Sequence, residues 1–152
     1  MAFSITITGL QEAMSFFNST PSKISQAVAK AINHASDSVA KYASSKAPRD
    51  TGRLQGGIEV TQKATEARLE AVVAPKDQYA IFVEKGTRPH FPPVSALEGW
   101  SRRHGIPAFL VARAISRRGT KAQPFMAPAA QVAPQMVATE VNGAISNVLE
   151  KS

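Results

Sequence analysis

The chain contains no cysteine, so disulfide scaffolds, zinc fingers, iron–sulfur centres and thiol nucleophiles are excluded. Aromatic residues are sparse, 7% of the sequence with a single tryptophan, which leaves few platforms for stacking bases. Long hydrophobic runs are missing as well. The longest, such as Ala71–Val72–Val73–Ala74, falls far short of the ~18 residues a spanning helix needs, and no membrane partner is expected. The opening Met1-Ala-Phe-Ser-Ile-Thr has no basic segment ahead of an apolar one, so no secretory signal is expected either. There is no phosphate-cradling glycine loop, no Gly-x-Ser-x-Gly elbow and no His-Glu-x-x-His. His34, His90 and His104 are scattered without a second ligand at metal spacing, and neither a metal nor any other cofactor is expected.

What is present is the composition of a soluble globular protein, 43% hydrophobic and 19% charged. Its 152 residues correspond to one domain able to bury a core without staples. Lys+Arg 18 against Asp+Glu 11 gives a net charge of +7, which favours contact with something acidic, either nucleic acid or an acidic protein surface.

Along the chain, Phe3, Ile5 and Ile7 alternate with Ser4, Thr6 and Thr8, the period of a half-buried strand. Leu10, Ala13, Met14 and Phe17 recur at helical spacing. Thr20 and Pro21 then open the longest helix, whose stripe is Ile24, Val28, Ala31, Ile32, Ala35, Val39 and Tyr42. Pro48 closes it near Lys46. Ile58 and Val60 mark one strand, and Leu69, Ala71 and Val73 the next, with Lys63–Glu66 as the hairpin turn. Tyr79, Ile81 and Val83 read as a further strand ending at Gly86, followed by a loop with Pro89, Pro92 and Pro93. Ser95 and Glu98 have capping-box spacing ahead of a short helix that buries Leu97 and Trp100 and ends at Gly105. Pro107 starts another, with Phe109, Leu110 and Ile115 as its apolar side. Phe125, Ala129, Val132, Met136, Val137, Val141, Ile145 and Val148 trace a C-terminal helix, with Pro128 in its first turn and Pro134 expected to kink or delay it. The fold class is α+β: a small, mostly antiparallel β-sheet packed against a long N-terminal helix and a C-terminal helix. It is a single domain, 1–152, with an extended loop and two short helices at about 87–121.

Asp50-Thr51-Gly52 is the tripeptide of aspartic proteases, which need two carboxylates sharing a proton on rigid apolar strands. Here Arg49 and Arg53 flank it, keeping Asp50 ionised. A turn, with Gly52 supplying an unusual dihedral, explains the same residues more simply. Glu84 has no second acid near it in sequence. Arg102, Arg103, Arg113, Arg117, Arg118 and Lys121 form a basic segment suited to DNA or to docking on an acidic protein, and equally to a solvated helix face. The N-terminal strand with Phe3, Ile5 and Ile7, or the loop with Arg88, His90 and Phe91, is the candidate subunit interface, because edge strands invite pairing.

Three segments together resemble one family. They are Ala47-Pro-Arg-Asp-Thr-Gly-Arg-Leu-Gln-Gly-Gly-Ile58, Tyr79-Ala-Ile-Phe-Val-Glu-Lys-Gly-Thr87, and Gly119-Thr-Lys-Ala-Gln-Pro-Phe-Met-Ala-Pro-Ala129. In order and spacing they resemble the head–tail joining or tail-completion proteins of long-tailed bacteriophages, minor tail or neck components of the lambda tail protein Z type. The likeness runs from about Ser22 to the C-terminus. It assigns Asp50, Thr51, Gly52, Glu84, Gly86, Thr87, Pro124, Phe125 and Pro128 to structural turns rather than to a reacting centre.

The resemblance implies a virion structural protein without catalysis, made in the host cytoplasm and carried in the neck. It implies a homo-oligomeric ring, a hexamer by analogy with the family, between the head connector and the tail tube or tail terminator, in passive contact with channel DNA at most. The rival readings are a tail-terminator or head-closure subunit of the same neck, a basic nucleic-acid-binding protein outside the virion, and a retroviral-type protease.

Overall fold

Alanine, the strongest helix former, recurs through the sequence from Ala27 to Ala43, interleaved with β-branched residues at helical spacing. In the computed structural model, which describes residues 4–8 and 22–150, this stretch is helix α1 (Ser22–Lys46). The expected stripe is its buried side: Ile24, Val28, Ala31, Ile32, Ala35 and Val39 are buried, and Tyr42 is half-buried. The amphipathic pattern at Leu10–Phe17, the opening pair Thr20 and Pro21, and Phe3 lie outside the described residues.

Two compact units form the chain: Met1–Gln78 with Phe125–Ser152, and Tyr79–Pro124. The segment set apart in the sequence at about 87–121 falls inside the second unit.

In unit 1, strands β1 (Ile5–Thr8), β2 (Ile58–Gln62) and β3 (Glu70–Pro75) make an antiparallel sheet in the order β1-β3-β2. Ile5 pairs with Val73 and Ile7 with Ala71, while Val60 faces Val73 from the other side. A bulge at Thr61 shifts the register between Val60 and Gln62. The hairpin closes between Thr65 and Arg68, whose backbones exchange two hydrogen bonds, a few residues later than Lys63–Glu66. Period-two alternation buries Ala71 and Val73 on one face of β3. That sheet packs against α1, and α1 lies along the C-terminal helix α6 (Met126–Glu150), whose inner side is Met126, Ala129, Ala133, Val137 and Val141. Pro134 sits inside α6 without ending it, on the exposed side.

Asn33 ties hairpin to helix. Its side-chain amide donates to the Ala64 carbonyl at 3.0 Å, and its carbonyl oxygen accepts from the Ala64 N–H at 2.8 Å. In the buried stretch of α1, the Ser36 hydroxyl is satisfied by the Ile32 carbonyl, 2.6 Å away.

Unit 2 holds helices α3 (Ala80–Lys85), α4 (Val94–His104) and α5 (Ala108–Arg118). Residues 80–85 are helical, with Tyr79 in the turn at the helix entry, and not the expected strand. Tyr79, Ile81 and Val83 do alternate, but the buried pair is Ala80 and Glu84, one helical turn apart. Ser95 and Glu98 form no capping box either. The N-cap position of α4 is Pro93, whose side chain offers no acceptor, and Ser95 already lies inside the helix. Gly105 ends α4 as expected, its N–H bonding the Ser101 carbonyl at 2.8 Å.

Candidate functional site

The Asp50-Thr51-Gly52 turn is held from behind. Ser44 Oγ donates to the Gln55 carbonyl at 2.7 Å, and Gln55 Nε2 donates to the Ala47 carbonyl at 3.0 Å. These bonds fold the end of α1 back on α2 (Arg53–Gly56), a short helix that the sequence reading did not anticipate. Arg53 grips Asp77 with two nitrogens, Nε at 3.1 Å from one carboxylate oxygen and Nη2 on the other, and so ties α2 to the residues after β3. Asp50 and Thr51 are exposed in this turn, whereas protease aspartates stand on rigid apolar strands. Among the described residues, no cluster of three histidines or carboxylates could hold a metal ion.

The second motif closes unit 2. Thr87 and Thr120 exchange backbone hydrogen bonds at 3.1 and 3.2 Å, and their hydroxyls meet at 3.0 Å. Gln123 N–H adds a bond to the Val83 carbonyl at 2.9 Å. Glycines flank both sides of this clasp. Gly86 (φ 69°, ψ −177°) and Gly119 (φ 70°, ψ −159°) occupy a backbone region open essentially to glycine alone. A Cβ on Gly86 would collide with the Thr120 carbonyl oxygen, and one on Gly119 with that of Thr87. Here the glycines permit both the dihedral and the close approach of the two strands of chain.

The third motif starts α6: Pro124 is exposed, Phe125 is fully buried in unit 1, and Pro128 lies in the first turn.

The basic segment does not form one stripe. Arg102 and Arg103 lie in the last turn of α4, and Arg117 and Arg118 in the last turn of α5, where they oppose the negative end of each helix dipole. Arg113 is exposed midway along α5. Neither helix has the large buried side expected. Leu97 and Trp100 are half-buried, Trp100 stacks on His104 at 4.2 Å, and Ala112 is the buried residue of α5. Phe109 (56%) and Leu110 (51%) are exposed.

Arg88, His90 and Lys121 are brought together around an open groove of about 870 Å³ within unit 2. Its apolar wall comes from Tyr79, Phe82 and Val83 of the α3 turn, from Pro89 and Pro92, and from Leu97 and Ile115. Phe82 is 59% exposed there. Phe91 lies against Phe109, ring centres 6.4 Å apart, and both are exposed. Sequence reasoning missed Tyr79 and Phe82 as surface residues. Their i, i+3 spacing, continued by Val83, was the available signal. Of the N-terminal interface candidates, Ile5 and Ile7 lie on β1, an edge strand of the sheet.

Unit 1 has a second concavity of about 710 Å³, lined by Lys23, Lys30 and His34 of α1 and by Glu140, Gly143 and Asn147 of α6. His34 Nδ1 lies 3.1 Å from the Glu140 carboxylate, both substantially exposed, so this contact contributes little.

A family model described as "Bacteriophage HK97-gp10, putative tail-component" matches residues 11–86, half of the chain. No curated protein and no solved structure matches.

Proposed function

Because the chain belongs to the HK97-gp10-like family of bacteriophage tail components, we propose that it is a structural subunit of the virion neck, a tail-completion or head–tail joining protein of the lambda tail protein Z type. Family membership carries the reading. It is supported by the fate of the three sequence motifs, all of which serve as joints of the backbone: the turn after α1, the clasp at Gly86, and the start of α6. The subunit works without catalysis, by shape and edge complementarity. It assembles into a ring, a hexamer by analogy, between head connector and tail tube, with β1, an edge strand among the described residues, offered to a neighbour.

Electron microscopy of particles made without this gene product tests the reading. Filled heads and separate tails are the expected outcome, with rings in micrographs of the purified protein. Normal joined particles in its absence would overturn it. Complete but overlong tails would move the subunit to the tail-terminator position.

A further inference from the structure

The motif joints leave the groove of unit 2 unexplained. Its walls are aliphatic, proline and aromatic side chains, and its charged residues are all of one sign: Arg88 and Lys121, both exposed, beside His90. Unit 2 carries eight basic and two acidic residues, +6 of the chain's +7. Neither acid lines the groove: Glu84 is buried in α3 and Glu98 lies elsewhere on α4. Among the described residues, neither Arg88 nor Lys121 takes part in an ion pair. An apolar trough with a purely cationic rim is complementary to a ligand with the opposite arrangement, apolar anchors flanked by carboxylates.

We infer that this groove is the docking site for an acidic segment of another protein, one that seats aliphatic or aromatic side chains against Phe82, Leu97 and Ile115 and sets carboxylates against Arg88 and Lys121. A second copy of this chain is a poor occupant. The rest of the molecule has a net charge of only +1, and four of its nine acids, Glu59, Glu70, Asp77 and Glu140, already face basic partners. Nucleic acid fits the charge but not the walls, since a phosphate backbone brings no side chain to fill an aliphatic trough. Pro89 and Pro92 fix part of the wall beforehand, which lowers the ordering cost of binding. The inference rests on the proposed function only in taking the occupant to be another protein of the particle.

The test uses the purified full-length chain and fluorescence anisotropy with three probes. These are a synthetic peptide alternating glutamate with leucine and phenylalanine, the same peptide with lysine for glutamate, and a short DNA duplex. The glutamate peptide is expected to bind and the lysine peptide not to. Lys121→Glu and Phe82→Ser should each weaken binding about tenfold or more, with unchanged melting because both side chains are exposed. Binding should also survive added salt better than DNA contact does, since DNA affinity falls steeply with salt through counterion release. No binding of the glutamate peptide, or binding that both variants leave unchanged, would overturn the inference. Tighter binding of the duplex, lost in Lys121→Glu, would also overturn it and give the surface to nucleic acid. These readouts come from the isolated protein, so their failure is separate from that of the neck reading, which particle assembly decides.

Discussion

In unit 1 the largest buried side chains form a core, with Phe125, Ile32 and Met126 each at most 1% exposed, and among its described residues Leu149 near the end of α6 is the exposed exception. In unit 2 large side chains are outside, with Phe82, Phe91, Phe109 and Leu110 all more than half exposed. Length accounts for much of the contrast. Unit 2 spans only Tyr79–Pro124, close to the ~40 residues below which a domain needs other means of ordering than a core. Burial therefore orders unit 1, whereas unit 2 is ordered by a backbone clasp, helix ends and prolines. The charge follows the same division, with +6 of the chain's +7 in unit 2.

The sharpest way to break this comparison is Phe125→Ala. Emptying a fully buried aromatic site in unit 1 should lower stability by about 3–5 kcal/mol in denaturant unfolding. A loss near zero would mean that burial does not order unit 1. Next is Gly119→Ala, which forces a Cβ onto the Thr87 carbonyl and should destabilise by about 1–3 kcal/mol. Its effect should be local. Hydrogen exchange should speed up at Thr87, Thr120 and Gln123 while the Val73 amide stays protected, and equal loss in both units would dissolve the distinction between them. Asn33→Ala should cost about 1–2 kcal/mol, because it unpairs both polar groups of Ala64 at once. At the small end, Phe109→Ser should move stability by no more than about 0.5 kcal/mol while making the protein more soluble. A large destabilisation there would reveal a core in unit 2 that its exposure does not indicate.

Unit 1 was largely legible in the sequence, because burial leaves a periodic trace. The stripe from Ile24 to Val39, the alternation at Ala71 and Val73, and the stop at Pro48 are where the periods place them. Unit 2 was not, for the same reason in reverse. Tyr79, Ile81 and Val83 imitate a strand, yet the residues turned inward are Ala80 and Glu84, a small residue and an acid that no hydropathy pattern marks. Phe109 and Leu110 look like the anchors of α5, while the buried residue is Ala112. Where little is buried, apolar residues report surface rather than core. The groove followed the same logic. Arg88, His90 and Lys121 stood out individually, but only the Thr87–Thr120 closure brings residues thirty-odd positions apart in sequence to one place. The family likeness, with its three segments, marked the joints and passed over the surface between them.

The clasp has a consequence for how such a chain can change over evolutionary time. Because Thr87 and Thr120 hold the two ends of the intervening segment within hydrogen-bonding distance, that segment behaves as a cassette. It can be lengthened, trimmed or exchanged whole at a loop-closure cost that grows only with the logarithm of its length. The match to the family stops at residue 86, one position before the clasp. Inside the clasped segment lie the two basic, apolar-faced helices α4 and α5, so a change in their length or sequence is insulated by the clasp from the chain on either side of it.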